Sequence, residues 1–200
     1  MGFSACGFAR AEPLHLEGLL DKWLSNSLNG QMQFMERYKD LRMDPGLLFP
    51  GARTVISLLA SYQNEDYNPG DTLKVSRYAV GRDYHKVLKK RGQKLIDWMA
   101  SENKGMKARV FVDSAPIMEK EWARRGGLGW IGKNTCLIRP GEGSWFFIAI
   151  ILTDLDIHPD KPEERNLCGN CSRCIDACPT QALQSEGFID ANKCISYLTI

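Results

Sequence analysis

The 200-residue sequence predicts a sheet domain of the α/β or α+β class followed by a small cysteine-rich module. Three observations carry that expectation. Apolar β-rich runs alternate with stretches of helical periodicity over residues 1–160, the pattern of a sheet covered by helices. Hydrophobic residues make up 44% and charged residues 25%, with five Trp and eight Phe to fill a core, as in ordinary globular proteins. Five of the seven cysteines then crowd into the last 33 residues.

Taken in order, residues 14–26 (LHLEGLLDKWLSN) place Leu16, Leu19, Leu20, Trp23 and Leu24 at helical spacing, and Met32 to Tyr38 reads as a second, short helix. Thr54 to Tyr62 (TVISLLASY) is a buried strand. Asn64 to Asp71, with Pro69-Gly70, is a loop. Tyr84 to Glu102 is the longest helical pattern, its apolar face formed by Val87, Leu88, Leu95, Ile96 and Met99. Lys107 to Asp113 alternates as a strand that ends on an acid. Ile117 to Arg125 is helical and opens just after Pro116. The segment CLIRP is strand-like, and Trp145 to Thr153 is a second strongly buried strand. Beyond His158 the composition turns to Pro, Glu, Asn and Cys, which sets the boundary between 158 and 165 and divides the chain into units 1–160 and 161–200.

The net charge of +2 is too small to demand a nucleic-acid partner by itself. It is unevenly spread: Lys86, Lys89, Lys90, Arg91 and Lys94 crowd one stretch, and Lys120, Arg124, Arg125 and Lys133 another. Each is either a solvated helix face or a phosphate-facing surface. No apolar run approaches the roughly 20 residues of a membrane-spanning helix. The start, MGFSACGFARAEP, lacks the charged opening and long apolar core of a secretory signal. A cytoplasmic protein is expected.

Cys168-x-x-Cys171-x-x-Cys174-x-x-x-Cys178-Pro179 is the bacterial iron–sulfur spacing. Three thiolates from one tight loop converge on one cluster, and a helix opening at Cys178, with Pro179 in its first turn, carries the fourth thiolate toward another. Structural zinc sites favour two separated Cys-x-x-Cys pairs instead. Cys194 adds a fifth thiol in range. Each 4Fe–4S cluster takes four thiolates, so two clusters exceed the five available and the sequence is expected to be cut short at its C-terminus. Cys6 and Cys136, standing alone, read as small buried hydrophobes. Trp122, Trp130 and Trp145 read as core or pocket wall.

The stretch CGNCSRCIDACPTQAL followed by CISYLTI resembles the ferredoxin-like segment of the epoxyqueuosine reductase family. Upstream, RYAVGRDYHKVL, VDSAPIMEKEWARRGGLGWIGKN and GSWFFIAIILT are similar to that family's catalytic domain, in the same order. The resemblance implies a cobalamin-binding mixed-sheet domain akin to that of reductive dehalogenases, then a ferredoxin-like 4Fe–4S module that is incomplete here. It implies reduction of epoxyqueuosine to queuosine at the wobble position of tRNA, by cobalamin fed with electrons from two 4Fe–4S clusters and an external low-potential donor. A monomer is expected, with no membrane partner. The alternatives are a cobalamin-dependent reductase of another substrate, such as an organohalide, and a ferredoxin-type electron carrier.

Asp113 matches the family's Asp-x-x-Pro acid, the proton donor that opening an epoxide requires. Without the family, Asp113 or Ser114 is as readily a helix cap before Pro116. Asp83, Tyr84 and His85 match the family's Asp-Tyr-His beside the substrate, where they orient the epoxide or relay protons. By themselves they read as a capped helix start. Gly127 to Gly132 formally matches a dinucleotide motif, yet that chemistry needs a strand before the glycines and a helix after them, the reverse of what the flanks offer. The family instead lines its cobalamin pocket with this loop, which points to Lys133, Asn134 and Leu137. Arg37, in MERY, resembles a further cofactor contact.

Overall fold

Long apolar runs with β-branched residues become the centre of a four-stranded sheet. The computed structural model describes residues 2–16, 18–63, 75–162, 166–184 and 187–199, so the loop expected at Asn64 to Asp71 lies outside the described residues. Strands β1 (Ala5–Arg10), β2 (Thr54–Ser61), β3 (Ala108–Phe111) and β6 (Phe146–Thr153) line up in the order β1-β2-β6-β3. A separate hairpin joins β4 (Trp130–Ile131) to β5 (Leu137–Ile138). The sequence expects a mixed sheet, but every neighbouring pair in the four-stranded sheet is antiparallel. The reason is the placement of β6. It inserts between β2 and β3, which run parallel to each other across the crossover helix α5 (Tyr84–Glu102).

Because side chains alternate along a strand, β2 and β6 feed two cores. Ile56, Leu58, Ala149 and Ile151 face α5 and meet its Leu88, Ile96 and Met99. Val55, Ile150 and Leu152 face the other way, onto Trp122 of helix α6 (Glu119–Arg125). Trp122 is 0% exposed. The α5 span agrees with its periodicity at both ends.

The remaining helices are single turns or little more. They are α1 (Leu19–Ser25), α2 (Phe34–Arg37), α3 (Lys39–Met43), α4 (Pro45–Leu48), α7 (Arg173–Asp176) and α8 (Ile195–Leu198). Helix α1 is shorter than its apolar pattern because Gly18, in the left-handed region at φ 72°, starts it late. No helix among the described residues is long and apolar enough to cross a membrane.

Two backbones touch where α6 ends. A Cβ on Gly7 of β1 would lie 2.1 Å from the Gly126 carbonyl oxygen, so only glycine permits this approach. Cys6, beside it, is exposed rather than buried. It lies on the edge strand, at the rim of a cavity shared with Leu95 and Trp98.

Candidate functional site

The N-terminus of α5 and the turn after β3 meet at one carboxylate. Tyr84 donates its hydroxyl to Asp113 Oδ2 at 3.0 Å, and His85 Nε2 lies 2.9 Å from the same oxygen. The other ring nitrogen of His85 sits 3.0 Å from Asp83 Oδ1, which also accepts the His85 backbone N–H and so caps α5. The cap foreseen for Asp83 and its contact with the His85 ring therefore belong to one oxygen. Tyr84 is held flat between His85, at 4.0 Å, and Phe147, at 4.1 Å between ring centroids.

These contacts set the protonation states. His85 has its pKa raised, chiefly by its hydrogen bond to Asp113 and also by Asp83, so the imidazolium is favoured. Asp83 is held below the usual carboxylate range by His85. Burial and the neighbouring Asp113 push the Tyr84 phenol up. The Asp113 side chain is 60% exposed, open to whatever occupies the space before it.

The turn itself is unusual. Asp113 adopts φ +57°, a region non-glycine residues seldom enter. Its N–H, with no strand left to pair with, donates to Glu119 Oε1 at 2.6 Å. Glu119 opens α6 and touches the candidate site; sequence reasoning missed it, reading Ile117 to Arg125 only as a helix. Burial pushes its carboxyl up to about 7. The available signal was a carboxylate six residues after an aspartate that must turn sharply.

Glu119 also lines a cavity of about 420 Å³ between α1, the start of α6, the β4–β5 hairpin and the C-terminal module. Leu20, Trp23, Ile131 and Phe188 make its walls largely hydrocarbon. A smaller cavity of about 290 Å³ has Tyr84, Arg77, Arg82 and Phe147 in its wall.

The β4–β5 hairpin touches the cysteine segment directly. Trp130 Nε1 lies 3.4 Å from Cys168 Sγ, and the Lys133 ammonium donates to the carbonyls of Gly169 and Cys171 at 2.8 and 3.1 Å. Asn134 accepts the Cys136 N–H and closes the hairpin loop. The Leu137 side chain is buried with Leu59, Ala123 and Leu128. Arg37 is exposed at the end of α2. The hairpin that follows Gly129 lacks the helix that nucleotide binding requires.

The two basic stretches part company. Lys86, Lys89, Lys90 and Lys94 are exposed along α5, whereas Arg91 donates to the Gly2 carbonyl. The second stretch is engaged inside the molecule: Arg124 and Arg125 grip buried Glu121, Lys120 bonds Thr135 O, and Lys133 bonds the cysteine loop.

Cys168, Cys171 and Cys174 come from one loop and α7. The helix precedes Cys178 instead of starting there, because Pro179 disfavours helical geometry in the residue before it. Cys178 accepts the Ala182 N–H, and backbone N–H groups, Leu183's foremost, lower its thiol pKa to about 7. Among the described residues, no three Cys, His, Asp or Glu side chains form a single-ion site. The donor chemistry, thiols at two-residue gaps with one already inclined to ionise, suits an iron–sulfur cluster.

Comparisons with known proteins converge on one family. The family model for epoxyqueuosine reductase QueG, DUF1730, matches residues 42–114, and a 4Fe-4S double cluster binding domain matches residues 167–200. The epoxyqueuosine reductase of Cellulophaga algicola is 46% identical over the whole chain, which spans 65% of that relative's length. A solved epoxyqueuosine reductase with an epoxyqueuosine-modified tRNA-Tyr stem loop is 29% identical, with TM-score 0.85 over 99% of this chain and 54% of that one. The Bacillus subtilis enzyme, also 29% identical with TM-score 0.84 over the same shares, was solved with its aspartate-bearing catalytic loop swung out of the active site. A reductive dehalogenase of B12-dependent mechanism shares the fold at 20% identity and TM-score 0.58, over 92% of this chain and 24% of that one.

Proposed function

The chain belongs to the epoxyqueuosine reductase family, and we propose that it carries the catalytic part of an enzyme reducing epoxyqueuosine to queuosine in tRNA. One observation carries the reading: a single Asp113 oxygen receives the Tyr84 hydroxyl and faces a His85 ring whose other nitrogen is held by Asp83. That is a proton store beside an exposed acid, and the reaction needs protons. Opening the epoxide and expelling its oxygen as water consumes two electrons and two protons, leaving a carbon–carbon double bond. Asp113 hands the departing oxygen a proton that the His85 imidazolium passes to its carboxylate. Tyr84, clamped by Phe147, fixes the carboxylate's orientation.

The cavity of about 420 Å³ suits cobalamin in wall chemistry, being broad, open and largely hydrocarbon. Its holders in this reading would be Ile131, Thr135 and Phe188 of the wall, with Arg37 and Asn134, outside that wall, as the contacts the resemblance implies. Lys133 acts there through the cysteine loop it binds, and Leu137 by seating the hairpin from the core. Bound cobalamin would supply the two-electron reducing power at cobalt. The ligands for iron are Cys168, Cys171, Cys174, Cys178 and Cys194, and their clusters would supply single electrons from an external low-potential donor. Exposed Lys86, Lys89 and Lys90 continue from the trio along α5 and suit an RNA backbone. A cytoplasmic monomer completes the reading. An electron carrier alone would leave the Asp83, Tyr84, His85 and Asp113 network without a task.

The deciding experiment is Asp113→Asn in the cofactor-loaded protein, assayed on tRNA bearing epoxyqueuosine. Reduction should fall about 10²–10⁴-fold, the usual contribution of a general acid, with iron and corrinoid content unchanged. Activity within threefold of the parent would refute Asp113 as donor.

A further inference from the structure

We propose that Glu119 is a positioning residue for Asp113: by accepting the Asp113 N–H, its carboxylate holds the turn after β3 in the left-handed conformation that presents Asp113 to Tyr84 and His85. The proposal rests on the proton-donor reading for its purpose, but its physical content concerns the turn alone.

Three observations meet at this bond. The Asp113 backbone lies at φ +57°, where a residue with a Cβ persists only if its surroundings hold it. The neighbouring restraints are local: Ser114 N bonds Val112 O, and Ile117 N bonds Ala115 O. Neither reaches across the turn. The bond from Asp113 N to Glu119 Oε1, at 2.6 Å, does, tying the end of β3 to the first residue of α6. A charged acceptor makes such a bond stronger than a neutral one.

The cost shows where the carboxylate sits. Glu119 opens onto the largely hydrocarbon cavity, and burial there disfavours its ionised form. The titratable groups that act on it are Asp113 across the turn, Arg42 of α3, Lys120 on its own helix and the neutral Tyr84 phenol of α5. Arg42 is itself half-buried, and its Nε has no hydrogen-bond partner. A glutamate kept at such a place without a full ion pair is explained by what it holds. A relative whose catalytic loop was solved swung out of the active site shows that this kind of loop has more than one position.

The test is an NMR titration of this chain, following the Asp113 amide proton and the His85 ring as Glu119→Gln and Glu119→Ala are compared with the parent. In the parent, the Asp113 amide should lie far downfield and titrate with a midpoint near 7. Glu119→Gln keeps an acceptor without the charge, so the amide should stay bonded yet lose that titration. Glu119→Ala should move the amide upfield and lower the His85 midpoint by about one unit, as Asp113 leaves the ring. The indole resonance of buried Trp122 reports whether each variant is folded. An Asp113 amide that still titrates with the parent midpoint in Glu119→Gln overturns the proposal, and that arm decides even if Glu119→Ala fails to fold. So does an unchanged His85 midpoint in folded Glu119→Ala. None of these readouts needs turnover. Normal reduction by Asp113→Asn would therefore sink the donor reading while leaving the Glu119 clamp standing.

Discussion

The Asp113 corner and the cysteine segment are built by opposite means. At the corner, Asp83, Tyr84, His85 and Asp113 already contact one another, placed by a sheet whose central residues are completely buried. The cysteines sit half-buried or exposed on short turns, and their thiols do not close on a common ion among the described residues. One site is an exposed network of side chains joined by hydrogen bonds above a buried sheet. The other has thiol donors in sequence order on short turns, a setting in which metal binding couples to local folding.

That contrast can be broken at several strengths. The largest effect should come from Ile151→Ala in the sheet. It should cost about 2–5 kcal/mol, read as a lower urea midpoint, and should scatter the Asp113 corner as well. Next, the pH dependence of the corner should follow His85. Its folded pKa lies above the ordinary value, so its contribution is fully present below about pH 6.5 and is lost as pH rises through the raised value. Asp113→Asn should shrink that dependence, measured as urea midpoints between pH 5 and 9. Glu119 has the same sign. Its folded pKa is also raised, so the fold holds a proton that the unfolded chain has released and loses stability as pH climbs toward about 7. Glu119→Gln should accordingly stabilise the protein at pH 8, on the order of 1 kcal/mol, which fits a residue kept for function at the expense of stability. The smallest effect belongs to Cys171→Ser without iron, within about 0.5 kcal/mol. A large loss there would show that the cysteine turns are packed into the fold before any cluster forms.

Legibility followed the same divide. Helix α5 could be read directly from apolar residues that repeat with a clear period, and strand β6 from its unbroken apolar run. The cysteine motif was plain because its ligand spacing is local in the chain. The Asp113 corner was legible only through resemblance, since Asp113 lies 28 residues from His85 and no local pattern joins them. Strand β1 escaped notice because ACGFAR is short and interrupted by glycine, and the same strand put Cys6 at an exposed edge. Helices α2 to α4 are too short to show a period. The mixed sheet failed for a topological reason: nothing local reveals that β6 slips between β2 and β3. Glu119 was missed because its contact with Asp113 is a single bond to a backbone N–H, which leaves no trace in side-chain patterning.

The bare contact of Gly7 with Gly126 has a mechanical consequence. Helix α6 is only about 10 Å long and is butted at its far end against β1, with Trp122 wedged in the sheet between. It behaves as a short rod with one end grounded. The rod has no room to slide, so displacement of the Asp113 turn must be absorbed by torsions in residues 114–118. Compliance is thereby confined to one small segment, and the Asp113 turn can change position while the sheet stays still.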